Sequence, residues 1–364
     1  MKVLHVEAGE KMLGGAQQLI YLLAEPSSSK HDHIVLCPKN SEVMSKAKAE
    51  GLNVIGARIL GDVDPFLIFR LCKLILKYKI DVIVVHSRRG ADFYGGVAGK
   101  LMGIRSILVR RVDNPESRFI SKLKYSLYDK TVCISDAIAS VLESQGVPAS
   151  KLEVIKDCVD TDMFLPNNDQ ETDLPARIDI PDNKLTVGVI AQLIPRKGHK
   201  FLLQVMPDIL AKFPDVHCVF LGAGSSREAL EQLSADLNLT SAVTFTGFRR
   251  DIHKIIPQLD IVVHPATMEG MGVALLQSSS AGVPVIAFAA GGIPEVVDHE
   301  VTGLLVPVGD EVGLKNRLMT LLGSSKLRRQ YGEKGRQKML EEFSLASMRD
   351  RYESLYDSLS RSRD

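Results

Sequence analysis

The sequence predicts two α/β domains in tandem, each a parallel sheet wound on both faces by helices. Three observations carry this. The 364 residues exceed what one hydrophobic core usually organises. Short apolar runs alternate with amphipathic helical stretches along nearly the whole chain, the order that builds a parallel sheet between helices. That alternation is interrupted once, at residues 166–184, and then restarts.

In the first half, strand-like runs occupy 3–7, 33–37, 53–57, 81–86, 106–111, 131–135 and 153–156. Helical patterns fill the gaps; over 65–79, Leu67, Ile68, Leu71, Leu74 and Ile75 recur at the spacing that puts them on one helix face. Residues 166–184 carry three prolines and five acids and read as a linker. Beyond it, strands are expected at 186–191, 217–221, 243–247, 260–265, 284–288 and 303–307. Helices are expected at 198–211, 226–237, 272–281 and 311–322, and the charged stretch after Ser325 is helical to the end. The domains are therefore 1–166 and 185–342, with a linker at 167–184 and a C-terminal helix at 343–364. Two doubly wound sheets facing across a cleft bind ligands at the C-terminal ends of their strands.

The composition is that of an ordinary globular protein, 45% hydrophobic and 24% charged, and a net charge of +1 argues against a nucleic-acid protein. Charge is uneven, however: residues 88–130 hold ten Lys/Arg against four acids, suited to an anionic acceptor or a membrane surface as well as to plain solvation. The five cysteines form no CxxC and no metal-ligand spacing and read as small core residues in a reducing compartment. The N-terminus enters a strand without a signal-peptide core, and no apolar run reaches membrane-spanning length. A cytoplasmic protein is expected, with any membrane contact peripheral, at the inner face.

The most telling stretch runs Thr267-Met268-Glu269-Gly270-Met271-Gly272-Val273-Ala274-Leu275-Leu276-Gln277, directly after the apolar run 260–265. It reads as strand, glycine turn and helix start. N–H groups at a helix start lack intrahelical partners and sit at a positive dipole end, and glycines let an anion or sugar approach the main chain. Glu269 stands at the mouth as an acceptor for hydroxyls. A basic loop, Gln192-Leu193-Ile194-Pro195-Arg196-Lys197-Gly198, follows the strand at 186–191, and a diphosphate needs such fixed cations. Gly14-Gly15 follows the first strand, and His86-Ser87-Arg88-Arg89-Gly90 ends the run at 81–86.

These motifs resemble those of the family 4 glycosyltransferases, over nearly the whole chain. The resemblance implies the GT-B architecture, two Rossmann-like domains with the last helix crossing back onto the first. It also implies a retaining transferase that moves a sugar from a nucleoside-diphosphate donor to a hydroxyl acceptor. Glu269 and the amides of Gly270, Met271, Gly272 and Val273 then hold the donor sugar; Lys197 and Arg196 neutralise the diphosphate; Gly14 and Gly15 reach it from the acceptor-side domain; His86 contacts the transferring sugar. Gly222 lines the site, while Phe248 and Arg249 meet the base or a phosphate. The catalytic set is His86, Glu269 and Lys197. Arg88, Arg89, Arg110 and Arg111 are acceptor-side candidates, for a bacterial surface glycolipid such as a lipopolysaccharide core.

Two positions depart from the family pattern. Gln192 stands where it has Arg, and Gln277 where a second Glu takes the ribose. They motivate an alternative, a catalytically degenerate GT-B protein that binds nucleotide sugars without turnover. A third reading, an NAD-linked oxidoreductase, requires GxGxxG after the first strand, and the chain offers Gly9-Glu10-Lys11-Met12-Leu13-Gly14-Gly15 instead. Asp62-Val63-Asp64 imitates a metal-binding DxD in a loop without that site's surroundings, and no His/Cys/Asp cluster has ligand spacing. No cofactor and no metal are therefore expected, and no nucleic-acid partner.

Overall fold

The computed structural model describes residues 1–12, 14–24, 29–60, 63–88, 90–167 and 184–361. The chain divides into two compact units, one formed by Met1–Cys158 with the stretch from Leu345 onward, the other by Val159–Ser344. Of the linker expected at 167–184, all but its two end residues lies outside the described residues.

In the first unit the elements are β1 (Lys2–Val6), α1 (Gly15–Leu23), β2 (Asp32–Pro38), α2 (Glu42–Ala49), β3 (Val54–Ala57), α3 (Phe66–Tyr78) and β4 (Val82–Val85). They continue with α4 (Ala91–Met102), β5 (Arg105–Arg110), α5 (Arg118–Ser126), β6 (Lys130–Cys133), α6 (Asp136–Ser144) and β7 (Leu152–Val154). The strands form one parallel sheet in the order β3-β2-β1-β4-β5-β6-β7. Central strands covered on both faces must be apolar throughout, and all four residues of β4 are fully buried.

The second unit repeats the plan. Its elements are β8 (Leu185–Ile190), α7 (His199–Lys212), β9 (Val216–Leu221), α8 (Arg227–Asp236), β10 (Val243–Gly247), α9 (Ile252–Ile255) and β11 (Ile261–His264). Then follow α10 (Val273–Ser280), β12 (Val285–Phe288), α11 (Ile293–Val296), β13 (Gly303–Val306), α12 (Glu311–Leu322) and α13 (Ser325–Glu342). The parallel sheet has the order β10-β9-β8-β11-β12-β13. Its core joins Val187, Val189, Phe220, Ile261, Val263, Ile286 and Phe288 from the strands to Leu202, Met206, Leu318 and Leu321 from the helices. The last helix, α14 (Leu345–Arg361), packs in the first unit against α1, where Arg349 Nη2 donates to Tyr21 O at 2.7 Å.

Strand order reverses direction between β1 and β4 in one unit and between β8 and β11 in the other. Ligands of doubly wound sheets bind at such switch points, outside the strand C-termini. The helices after those four strands share a feature: α1, α4, α7 and α10 have Gly14, Gly90, Gly198 and Gly272 as N-caps, with no side chain accepting from the first turn. Away from the switch points, α2, α5, α6 and α12 are closed by Ser41, Ser117, Ser135 and Asp310. Uncapped starts also occur at α3, α8, α9 and α11, but at the switch points all four helices begin on a glycine with open amide groups, where the topology expects a ligand.

All five cysteines are free thiols, four of them buried, and burial pushes Cys37 up to about 11 and Cys133 to about 12. No helix among the described residues is long and apolar enough to cross a membrane.

Candidate functional site

At the switch point of the second unit, two loops are tied together. Thr267 N donates to Arg196 O at 2.9 Å, and Arg196 Nη1 returns to Met268 O at 3.2 Å. Gly198 lets the loops close: it sits at φ +70°, and a Cβ there would lie 1.8 Å from Pro265 O. The pairing brings Lys197 onto Glu269, and the ammonium donates to Glu269 Oε2. His264, the last residue of β11, reaches the same oxygen with Nε2 at 3.0 Å.

This triad has a definite charge state. Burial pushes the Glu269 carboxyl up, but the His264 hydrogen bond and the Lys197 cation outweigh it and hold the group well below the usual carboxylate range. Burial lowers His264 despite the pull of Glu269, so the imidazole is neutral and donates its one N–H. Glu269 is thus an ionised, acceptor-only group beside the uncapped start of α10. His264 is not singled out by the sequence reading, although a histidine closing an apolar strand six residues before the first glycine of the turn, Gly270, is the available signal.

The other expected donor residues of the second domain all lie in this unit. Gly270, Met271 and Gly272 are buried in the turn, with Gly272 at φ +85°. Val273 opens α10, and Gln277 is buried one turn on. Gln192 and Arg196 are exposed on the β8 loop. Gly222 has a packing reason of its own, since a Cβ would lie 1.9 Å from Ala191 O. Phe248 is exposed, and Arg249 is held in two parallel hydrogen bonds by Asp251, at 2.8 and 2.6 Å.

In the first unit, His86 follows β4 and is buried, with Nε2 3.0 Å from His5 Nδ1. Gly14 and Gly15 open α1, and a Cβ on Gly15 would lie 2.7 Å from Arg111 Cδ. Arg111 is itself ion-paired with the buried Asp157, and Arg110 is buried with Nη1 on Glu116 Oε1 at 2.9 Å and Nη2 on Asn114 O at 2.6 Å. Lys124 also donates to Glu116, at 2.6 Å, and to Asp92, at 3.2 Å. Arg88 lies 3.6 Å from Glu116. Burial raises the Glu116 carboxyl, but Lys124 and Arg110 prevail and lower it. A pocket lined by His86, Ser87, Arg88, Asp92, Arg110, Arg111 and Lys124 thus holds four cations against one carboxylate. Arg89 lies outside the described residues.

The DxD-like Asp62 also lies outside the described residues. Asp64 is buried, accepts from Leu60 N at 2.9 Å and pairs with Arg70 of α3. Among the described residues no group of three His, Cys, Asp or Glu could hold a metal ion.

Two family models match the chain: Glycosyltransferase Family 4 over residues 13–163 and Glycosyl transferases group 1 over 170–338. A GDP-mannose-dependent alpha-(1-6)-phosphatidylinositol monomannoside mannosyltransferase of Mycobacterium tuberculosis is 33% identical over 187 residues, 49% of this chain and 48% of that protein. The match therefore spans about half the length of that relative. The enzyme of the same name from Mycolicibacterium smegmatis is 25% identical over 350 residues, 89% of each chain. Among solved structures, Anabaena HepE in complex with UDP superposes with a TM-score of 0.84 at 19% identity, over 98% of this chain and 100% of that one.

Proposed function

This chain belongs to family 4 of the glycosyltransferases and has the GT-B fold, and from that premise we propose that it transfers a sugar, with retention, from a nucleoside-diphosphate donor to a hydroxyl of an anionic glycolipid. One observation carries the donor half: the ionised Glu269, buttressed by Lys197 and His264, beside the uncapped N-terminus of α10. A carboxylate that can only accept suits sugar hydroxyls, and open amides suit a diphosphate.

The chemistry follows from charge. As the bond between the anomeric carbon and the phosphate oxygen breaks, the sugar becomes cationic and the departing diphosphate gains negative charge. Lys197, Arg196 and the first amides of α10 stabilise that leaving group. The acceptor oxygen bonds the anomeric carbon on the face the phosphate leaves, and its proton passes to a phosphate oxygen. Glu269 orients the sugar throughout, and in this reading the diphosphate charge is met by residues and amides without a resident metal.

The acceptor half is supported by the basic pocket of the first unit and by α5, where Phe119, Ile120 and Leu123 are exposed among Arg118 and Lys122. Apolar side chains flanked by cations suit an anionic membrane surface, where a glycolipid headgroup is presented. The similarity to phosphatidylinositol mannoside enzymes points to the same chemical class.

The test is a panel of UDP-, GDP- and ADP-sugars screened by thermal shift, followed by nucleotide release in the presence of phosphatidylinositol- or lipopolysaccharide-core-type acceptors. One donor should stabilise the protein, release should require an acceptor and persist in EDTA, and the product should keep the donor's anomeric configuration by NMR. Stabilisation by a donor without turnover on any acceptor would favour the degenerate binding protein, and inversion would remove the proposed mechanism.

A further inference from the structure

The strand order β2-β1-β4 lines up three buried or partly buried histidines that are far apart in sequence. His86 Nε2 lies 3.0 Å from His5 Nδ1, and His5 Nε2 lies 2.9 Å from His33 Nδ1. His33 Nε2 continues to Ser29 Oγ at 2.9 Å, and Ser29 Oγ to Glu353 Oε1 of α14 at 2.7 Å. Tyr356 of the same helix packs its ring over His33 and His5, with centroids 5.9 and 6.5 Å away. The other carboxylate oxygen of Glu353 lies 3.5 Å from His31 Nε2, which is also 3.5 Å from Asp357. Burial keeps the three imidazoles neutral: it pushes His33 down to about 4 and lowers His5 and His86 well below the ordinary value, with Arg111 adding to the effect on His86.

A neutral imidazole has one N–H and one bare nitrogen, a hydroxyl has one hydrogen, and a carboxylate only accepts. The direction of the chain is then set from its far end, where Ser29 Oγ also accepts from His31 N at 3.2 Å and has Glu353 Oε1, at 2.7 Å, as a nearer acceptor than His31 O, at 3.4 Å. Ser29 gives its hydrogen to Glu353 and so accepts from His33 Nε2–H. His33 Nδ1 is left bare and accepts from His5 Nε2–H; His5 Nδ1 in turn accepts from His86 Nε2–H. The last bare nitrogen is His86 Nδ1, which is buried and has no hydrogen-bond partner among the described residues. Without the carboxylate, Ser29 can donate to His33 or to His31 O, 3.4 Å away; in the population that donates to His33 every hydrogen shifts and His86 presents Nδ1–H.

We propose that Glu353 is a positioning residue: through Ser29, His33 and His5 it fixes His86 as a hydrogen-bond acceptor at Nδ1, so that His86 selects a ligand group that donates, a hydroxyl of a sugar substrate. The identity of that ligand rests on the proposed function; the tautomer does not.

The experiment is two-bond proton–nitrogen correlation NMR on protein labelled with 15N-histidine, held slightly above neutral pH. In the wild-type protein His86 should carry its proton on Nε2 alone. Glu353→Ala and Ser29→Ala should each produce a second, Nδ1-protonated population, while Ser29→Thr, which keeps the hydroxyl, should retain the wild-type pattern. Wild-type His86 protonated on Nδ1, a measurement that needs no variant to fold, overturns the proposal. So does an unchanged tautomer in both alanine variants. In turnover assays Glu353→Ala should lower kcat/KM for the donor about 3- to 10-fold, the worth of one net hydrogen bond, and Ser29→Thr alone should keep the wild-type value. A wild-type kcat/KM in Glu353→Ala beside a mixed tautomer overturns the recognition role. Absence of any turnover in wild-type protein that shows the expected tautomer counts against the proposed function and leaves the positioning intact.

Discussion

In the proposed reading Glu269 takes sugar hydroxyls and Lys197 takes phosphate, two ligand groups separate in the sequence. In the folded chain they touch, 72 residues apart, and His264 completes the contact. The reason is that residue type and local pattern report what a side chain can bind, whereas partnership depends on which loops the sheet brings together. The same limit explains why His86 was visible at its strand end while His5 and His33, lying in adjacent strands, were not. The pairing sharpens what substitution should do. In the proposed reading, removing Glu269 deletes the sugar contact; removing Lys197 deletes a diphosphate cation and leaves the Glu269 carboxylate with His264 as its remaining support. Each of Glu269→Ala and Lys197→Ala should lower kcat/KM at least ~100-fold, corresponding to about 2.7 kcal/mol of lost transition-state stabilisation. Lys197→Ala should also raise the Glu269 pKa and so bring an acid limb of activity closer to neutrality. Near wild-type turnover in either variant would displace the donor site from this loop pair.

The elements themselves were read closely, strand by strand: the runs expected at 81–86 and 260–265 are β4 and β11, trimmed by a residue at either end. Buried parallel strands are short continuous apolar runs bounded by turn residues, so their existence is a local property. How helices begin was less legible. Gly198 and Gly272 read as parts of ligand motifs, and the structure shows they are also N-caps with positive φ, a backbone state that costs other residues strain. Gly198 carries a second constraint, the close approach of Pro265 O. We expect Gly198→Ala to destabilise the second unit by at least about 2 kcal/mol, because strain at positive φ adds to a steric clash with backbone that cannot turn aside. Urea unfolding monitored by circular dichroism measures it. A change within about 0.5 kcal/mol, typical of unconstrained surface positions, would mean that the two loops are not locked together in solution.

On the scale of the molecule, what the sequence could not report is strand order, and strand order sets the electrostatics of the interior. Six of nine histidines, His5, His33, His86, His199, His217 and His264, are lowered below their ordinary value, in every case chiefly by burial, with His33 and His199 at about 4. The unfolded chain titrates these groups near 6.5. Between that value and about 4 the unfolded state therefore binds protons that the native state refuses, and stability rises with pH across the window and falls as the solution is acidified through it. The lowered Glu116 and Glu269 add to acid sensitivity further down, and the raised Asp157 opposes it. His199 isolates the effect. Both of its ring nitrogens are buried without a hydrogen-bond partner among the described residues, and its ring meets Phe220 edge-on at 5.3 Å, so an apolar side chain of similar size removes the titration without removing a bond. His199→Leu should flatten the stability profile between pH 6.5 and 4 by up to about 1.4 kcal/mol per pH unit, one proton's worth. Urea midpoints and m-values for both proteins at half-unit steps across this range supply the comparison, and parallel profiles would show that His199 is protonated alike in the native and unfolded states.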